Sequence, residues 1–286
     1  MTAVRSVQIP ASDGYPLAAS LHEPDAAPRA ALIISSGAAM PQRVFSRFAA
    51  FCTGYGLASV TYDYRGIAGS APPSLAGFPA RMRDWALLDL TGVIAWARER
   101  FAGLPLLYAG HSFGGHALGL NEHNNAFRCA LLVASMSGYW RNFAGLEGAR
   151  TFFLMNVLAP PVLGLFGYMP GSLGLGQNMS AGVFREWARW CRMKNYFFDD
   201  PTLPETRNFA TFNGAIRVAA MEDDPWTTPA AVHSLFSRFI NADVEMVRYD
   251  PAALGIGKVG HFGFFRPQFR ETLWQENVDW LVSGLD

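Results

Sequence analysis

The sequence predicts an α/β fold: a mostly parallel sheet with helices on both faces and an inserted cap. Three observations lead there. Short apolar runs alternate with longer amphipathic ones, the pattern of strands joined by crossover helices. Several runs, such as AALIIS at residues 30–35, are apolar throughout, as buried strands are. One interval breaks the alternation. Residues 137–213 are rich in Trp, Phe, Gly and Pro and lack a clear strand. The chain therefore divides into a core (1–136), a cap insertion (137–213) and a second core part (214–286).

The elements follow in order. Val4–Ile9 and Leu17–Glu23 read as an opening hairpin around Ser12-Asp13-Gly14. Ala30–Ser35 is a buried strand, and Pro41–Gly54 a helix with Pro at its start. Leu57–Tyr62 is the next strand. Asp84–Phe101 is the clearest helix, with Leu87, Leu88, Leu90, Val93 and Ile94 at helical spacing. Pro105–Ala109 is a strand that runs straight into Gly110, and Phe113–Leu120 a helix. Cys129–Ala134 and Ala215–Ala220 are strands, Pro229–Ile240 a helix, Val244–Tyr249 a strand and Pro267–Leu285 the closing helix.

Composition narrows the function classes. Half of the 286 residues are hydrophobic, enough for a large core. The 23 basic and 23 acidic residues cancel, so no electrostatic case exists for nucleic acid or an anionic membrane. The three cysteines, Cys52, Cys129 and Cys191, are scattered, form no CxxC and read as reduced thiols. The N-terminal segment has no apolar export signal, so a cytoplasmic location is expected. The longest uncharged run, Thr151–Phe184, contains Pro160, Pro161, Pro170 and many glycines. Such a run covers an apolar pocket or skims a surface rather than crossing a bilayer.

The strongest chemical signal is Gly110-His111-Ser112-Phe113-Gly114, set between the apolar strand PLLYA and a helix. A serine on a sharp strand-to-helix turn sits in strained backbone, and bulky neighbours two positions away would clash. The turn lifts the hydroxyl out of the sheet and aims the Phe113 N–H, at a helix N-terminus, at a developing oxyanion. The competing account is a buried serine in a glycine-rich turn, which the flanking strand and helix disfavour.

A serine hydroxyl needs a base. Among the six histidines, His111 lies inside the turn and should point away from the serine, while His116 follows on the helix. His22, His123 and His233 sit in exposed or amphipathic segments. His261, in Gly260-His261-Phe262-Gly263 between the last strand and the last helix, would top the sheet edge near Ser112. The orienting acid should follow a strand and precede the histidine. After the strand IRVAAM come Glu222, Asp223 and Asp224. Asp224 is preferred, with Asp223 as the alternative. A second oxyanion donor should come from the loop Ser35-Ser36-Gly37-Ala38-Ala39-Met40, through the Ala38 N–H or else that of Ala39. Each such donor is worth about 3 kcal/mol of transition-state stabilisation.

The order Ser112, Asp224, His261 resembles the α/β-hydrolase superfamily. Tyr62-Asp63-Tyr64-Arg65-Gly66 looks like that superfamily's loop after its fourth strand. More narrowly, FSRFAAF, YDYRGIAGS, MRDWALLDL, GHSFGGHALGL, WARWC and GHFGFFRP resemble a poorly characterised bacterial group of predicted α/β hydrolases. The likeness covers nearly the whole chain. It implies a hydrolase fold, a catalytic triad and no cofactor, and it names no substrate. Two positions depart from the common pattern: Ser36 stands where histidine often precedes the oxyanion-loop glycine, and Ala68 where glycine is usual.

Other signals carry less. Gly255-Ile256-Gly257-Lys258-Val259-Gly260 matches GxGxxG, but a dinucleotide site needs the motif inside a βαβ unit, and one helix's worth of chain remains. His111 and His116 lack the spacing and third ligand for zinc. Phe184, Trp187 and Trp190 form a helical stripe expected to be cap core. The expectation is a serine hydrolase that cleaves an ester of an apolar small molecule through an acyl-enzyme. Phe152, Phe153, Leu154, Leu163, Leu165 and Phe166 suggest the apolar lining, with cap packing as the competing use. Acyl transfer, thioester or peptide cleavage with the same triad, or binding without catalysis, are the rival functions. Oligomeric state is not readable.

Overall fold

Strands β1 (Ala3–Pro10) and β2 (Pro16–Glu23) form the opening antiparallel hairpin, in register from Ala3–Glu23 to Pro10–Pro16. β3 (Ala30–Ser35), β4 (Leu57–Tyr62), β5 (Leu106–His111), β6 (Phe127–Val133), β9 (Ala215–Met221) and β10 (Asp243–Tyr249) complete an eight-stranded sheet. Its order is β1-β2-β4-β3-β5-β6-β9-β10, parallel from β4 onward. Two short strands, β7 (Tyr168–Met169) and β8 (Met179–Ser180), pair apart from it. The computed structural model describes residues 3–174 and 176–285. Residues 1, 2, 175 and 286, which fall in the three segments expected above, lie outside the described residues.

Alternate residues of each inner strand face opposite layers, and both layers are apolar. On one side Ala31, Ile33, Val60, Tyr108 and Leu132 pack with Trp85, Leu90 and Phe113. On the other Ala30, Leu32, Ile34, Leu107 and Leu131 pack with Phe45, Phe48, Trp274 and Leu281. That is why these strands read as continuous apolar runs. The covering helices are α1 (Ser46–Thr53), α2 (Met82–Asp84), α3 (Leu90–Arg100), α4 (Phe113–Leu120), α8 (Pro229–Phe236) and α9 (Gln275–Ser283).

Boundaries moved where side chains intervene. The helix expected from Asp84 starts at Met82, because Asp84 accepts the Arg81 N–H at 2.7 Å and serves inside the first turn. A π turn, Trp85–Asp89, separates α2 from α3. It carries Asp89, which is fully buried and accepts the Arg65 N–H at 2.8 Å and Nε at 2.6 Å. Widened turns of this kind concentrate at positions with a special task.

The segment between β6 and β9 carries α5 (Glu147–Phe153), α6 (Ala159–Phe166) and α7 (Ala181–Arg192), with a π turn, Leu154–Leu158, joining the first two. A buried ion network ties α2 to this segment. The Arg83 N–H and Nε donate to Glu186 at 2.9 and 2.7 Å, and Nη2 donates to Asp200 at 3.1 Å. Removing one partner of such a network costs about 3–5 kcal/mol, because a charge is left buried and unpaired.

Candidate active site

The parallel strands end at one edge of the sheet, and the loops leaving β3, β5, β9 and β10 meet there. Ser112 follows β5 directly. It has φ 50° and ψ −108°, a positive-φ conformation that costs a non-glycine residue about 1–3 kcal/mol. The local sequence enforces it. A Cβ on Gly110 would lie 2.7 Å from the Gly114 carbonyl carbon, and one on Gly114 would lie 2.7 Å from the Ser35 oxygen. Only glycine at both positions lets the turn close against β3.

Ser112 Oγ lies 3.1 Å from His261 Nε2, and His261 Nδ1 lies 2.7 Å from Asp224 Oδ2. A carboxylate only accepts, so Nδ1 carries the proton and Nε2 presents its lone pair to the serine hydroxyl. Asp224 is 3% exposed, and its Oδ1 accepts the Trp226 N–H at 2.9 Å. Burial opposes its ionisation, but the His261 imidazole and these hydrogen bonds outweigh burial and hold its pKa below the usual value. Asp223 points elsewhere. Its two oxygens accept the Val259 and Gly260 N–H groups, each at 2.9 Å, so it fastens the loop that carries His261.

Ala38 and Phe113 both line the cavity beside Ser112 and His261. The loop of Ala38 is held from two sides. Gln42, just after it, gives its N–H to Asp63 at 2.7 Å, and the Gln177 N–H donates to the Ala39 oxygen at 2.9 Å. Asp63 also accepts the Gly69 N–H at 3.1 Å, so the Tyr62–Gly66 motif braces this loop. Ala68, at the position flagged for its missing glycine, sits at φ 40°.

The cavity, about 110 Å³, is lined mainly by apolar groups: Met82, Met136, Phe143, Leu154, Met155 and Trp187 among them. An apolar space of ~150 Å³ accommodates benzene, so this one suits a compact apolar group. Two expectations about its walls need correction. Trp187 lines the cavity, while its stripe partners Phe184 and Trp190 are fully buried core. Of the six apolar residues expected there only Leu154 lines it. Phe152, Phe153, Leu165 and Phe166 are exposed, because helical geometry turns them to the far face.

Three features escaped the sequence reading. His111 lines the cavity: its Nε2–H donates to the His261 carbonyl at 2.8 Å, and its ring packs on Gly37, where a Cβ would meet Nδ1 at 2.6 Å. Burial and then the neighbouring His261 push its pKa down to about 3. His116 donates to the Met136 carbonyl at 2.6 Å, and burial pushes its pKa down to about 4. Trp226 lies with its ring centre 4.4 Å from that of His261, and its Nε1–H donates to Glu147 at 2.7 Å. The position of Trp226, two residues after Asp224, was the one available hint. Among the described residues no cluster of three His, Cys, Asp or Glu side chains could hold a metal ion.

Residues 26–172, just over half of the chain, match the model of the Hydrolase_4 family, described as serine aminopeptidase, S33. No curated protein matches the sequence. Among solved structures, an esterase from Pyrococcus furiosus is 14% identical with a TM-score of 0.63, over 100% of this chain and 92% of that one. A thermostable carboxyl esterase from Bacillus coagulans is 12% identical with a TM-score of 0.64, over 100% of both chains. A Xanthomonas campestris α/β serine hydrolase without a lid is 14% identical with a TM-score of 0.55, over 97% of this chain and 95% of that one. At these identities the likeness is one of fold, the α/β-hydrolase fold.

Proposed function

The chain belongs to the Hydrolase_4 family of α/β hydrolases (serine aminopeptidase, S33), and from that premise we propose that it cleaves carboxylic esters of apolar small molecules through an acyl-enzyme. The observation that carries the reading is the hydrogen-bonded series Ser112–His261–Asp224 at the mouth of an apolar cavity. His261 Nε2 takes the Ser112 proton as Oγ attacks the ester carbonyl. Asp224 keeps the imidazole in the productive tautomer and stabilises the imidazolium. The Phe113 and Ala38 N–H groups bind the oxyanion. His261 returns the proton to the departing alcohol, then activates the water that clears the acyl group. Residues 137–213 act in this reading as the cap unit that closes the cavity, on a core made of 1–136 and 214–286.

The family's description invites a second reading, aminopeptidase action. An aminopeptidase needs a partner for the substrate's α-ammonium group. Among the described residues lining the cavity there is no carboxylate and the one charged side chain is Arg150, which favours the ester. Transfer of the acyl group to an alcohol or amine uses the same acyl-enzyme and differs only in the acceptor. The test is covalent labelling. A fluorophosphonate is expected to add one label, at Ser112, and Ser112→Ala to abolish both label and turnover while the circular-dichroism spectrum is kept. Labelling of the alanine variant at an undiminished rate would overturn the assignment. An ester panel run with and without acceptor alcohols then separates hydrolysis from transfer.

A further inference from the structure

Glu147–Phe166 is a helical run of 20 residues, by length and composition apolar enough to cross a membrane. Its inner stripe, Gly148, Thr151, Met155, Ala159 and Leu163, recurs every three or four residues and is buried against the protein. Thr151 and Met155 line the cavity. The outer face is left bare. Phe153 is 51% exposed, Val157 50%, Leu165 79% and Phe166 47%, and Leu146 just before the run is 86% exposed. Scattered exposed apolar residues are ordinary, but a contiguous face of large ones marks an interaction surface.

The rim of this face carries a charge of one sign. The Arg141 guanidinium lies 5.0 Å over the ring of Trp140, whose centre is 4.9 Å from that of Phe152. Arg192 Nη1 donates to Asn156 on the run itself, and the half-exposed Arg150 is neutralised by Glu147. The run's one carboxylate, Glu147, is turned inward to Arg150 and to Trp226 Nε1, with its side chain 18% exposed. An apolar face edged by guanidiniums and an indole, with its carboxylate withdrawn, is the pattern of a helix that lies in a lipid interface. A second copy of the chain fits less well: a two-fold contact through this face would bring like-charged rims together.

We propose that Glu147–Phe166 docks the protein on an anionic lipid surface. The outer face enters the headgroup–acyl boundary, and Arg141 and Arg192 meet lipid phosphates, while Arg150 stays paired to Glu147. One stripe of the run stays packed on the protein, so it lies along the surface and does not span it. This revises the expectation from overall neutrality, because the net charge of zero hides a local basic rim. The inference stands apart from the catalytic reading, since binding does not require turnover. It places the cavity directly beneath the docked helix, where an ester dissolved in the lipid would enter.

The test is co-sedimentation of the full chain with vesicles of phosphatidylcholine, alone or with a quarter phosphatidylglycerol. Two arginines near the surface are expected to make binding to the anionic vesicles about 30-fold tighter, an advantage that falls with added salt. The double variant Phe153→Ser, Leu165→Ser, at exposed positions, should lose at least ~10-fold of that binding with its melting curve unchanged. Arg141→Gln with Arg192→Gln should remove most of the anionic preference. Absence of binding, or equal binding by the serine variant, overturns the proposal. So does a stable dimer in sedimentation velocity that the serine variant dissolves, which would assign the face to a second copy.

Discussion

Replacing Asp224 by Asn tests the orienting acid with little change of shape. Asp224 Oδ1 accepts the Trp226 N–H at 2.9 Å, and Oδ2 faces His261 Nδ1 at 2.7 Å. An asparagine there has one acceptor and one donor end. Trp226 N–H claims the oxygen, so the amide NH₂ is left facing Nδ1. Two donors cannot meet, and the imidazole shifts its proton to Nε2. That removes the lone pair which should receive the Ser112 proton. The same tautomer trap costs about 10⁴-fold in a well-studied serine protease, equal to about 5.5 kcal/mol, so kcat is expected to fall by at least ~100-fold here. Asp223→Asn makes the comparison. Its oxygens each hold one N–H of the His261 loop, and the amide can keep only one. A lost charge-assisted bond predicts about 1–3 kcal/mol of stability, with kcat lowered by less than ~10-fold. The assay is kcat on one activated ester for both variants, with urea unfolding alongside. A reversed order, or an Asp224→Asn loss within tenfold, would refute the reasoning.

Three further outcomes are expected. Esters with uncharged acyl groups should have higher kcat/KM than those ending in a carboxylate, since the lining is mainly apolar and Arg150 is already paired to Glu147; equal values would contradict this. Acidification should destabilise the fold through His111 and His116, whose folded pKa values of about 3 and about 4 lie below the unfolded value of 6.5. The unfolded chain then binds more protons, so stability is whole above about pH 6.5 and falls towards pH 4, by roughly 2 kcal/mol per histidine at about pH 5; a urea midpoint unchanged between pH 7 and pH 5 would refute it. Ala68→Gly should stabilise by about 0.5–1 kcal/mol, because Ala68 occupies φ 40° and glycine adopts that region without strain; a lowered melting temperature would show that the loop has another constraint.

Local patterns in the chain were sufficient for the fold class and for the shape of the elbow. The strands reveal themselves because a sheet covered on both faces demands apolar residues at every position. Gly110 and Gly114 reveal the turn because any side chain there would strike Gly114 itself or β3. Other features exist only once distant segments meet. Position after the strand favours Asp224 over Asp223, but the partner of each carboxylate is set by the fold. They part because consecutive residues leaving a strand diverge, one to the imidazole and the other to the loop behind it. His111 bonds to a carbonyl 150 residues away, and no local signal announces such a partner. The apolar run from Thr151 reads from sequence as pocket lining. Which of its residues face the cavity depends on where the helix is seated against the core. Burying Thr151, Met155, Ala159 and Leu163 left Phe153 and Leu165 on the opposite side, facing outward.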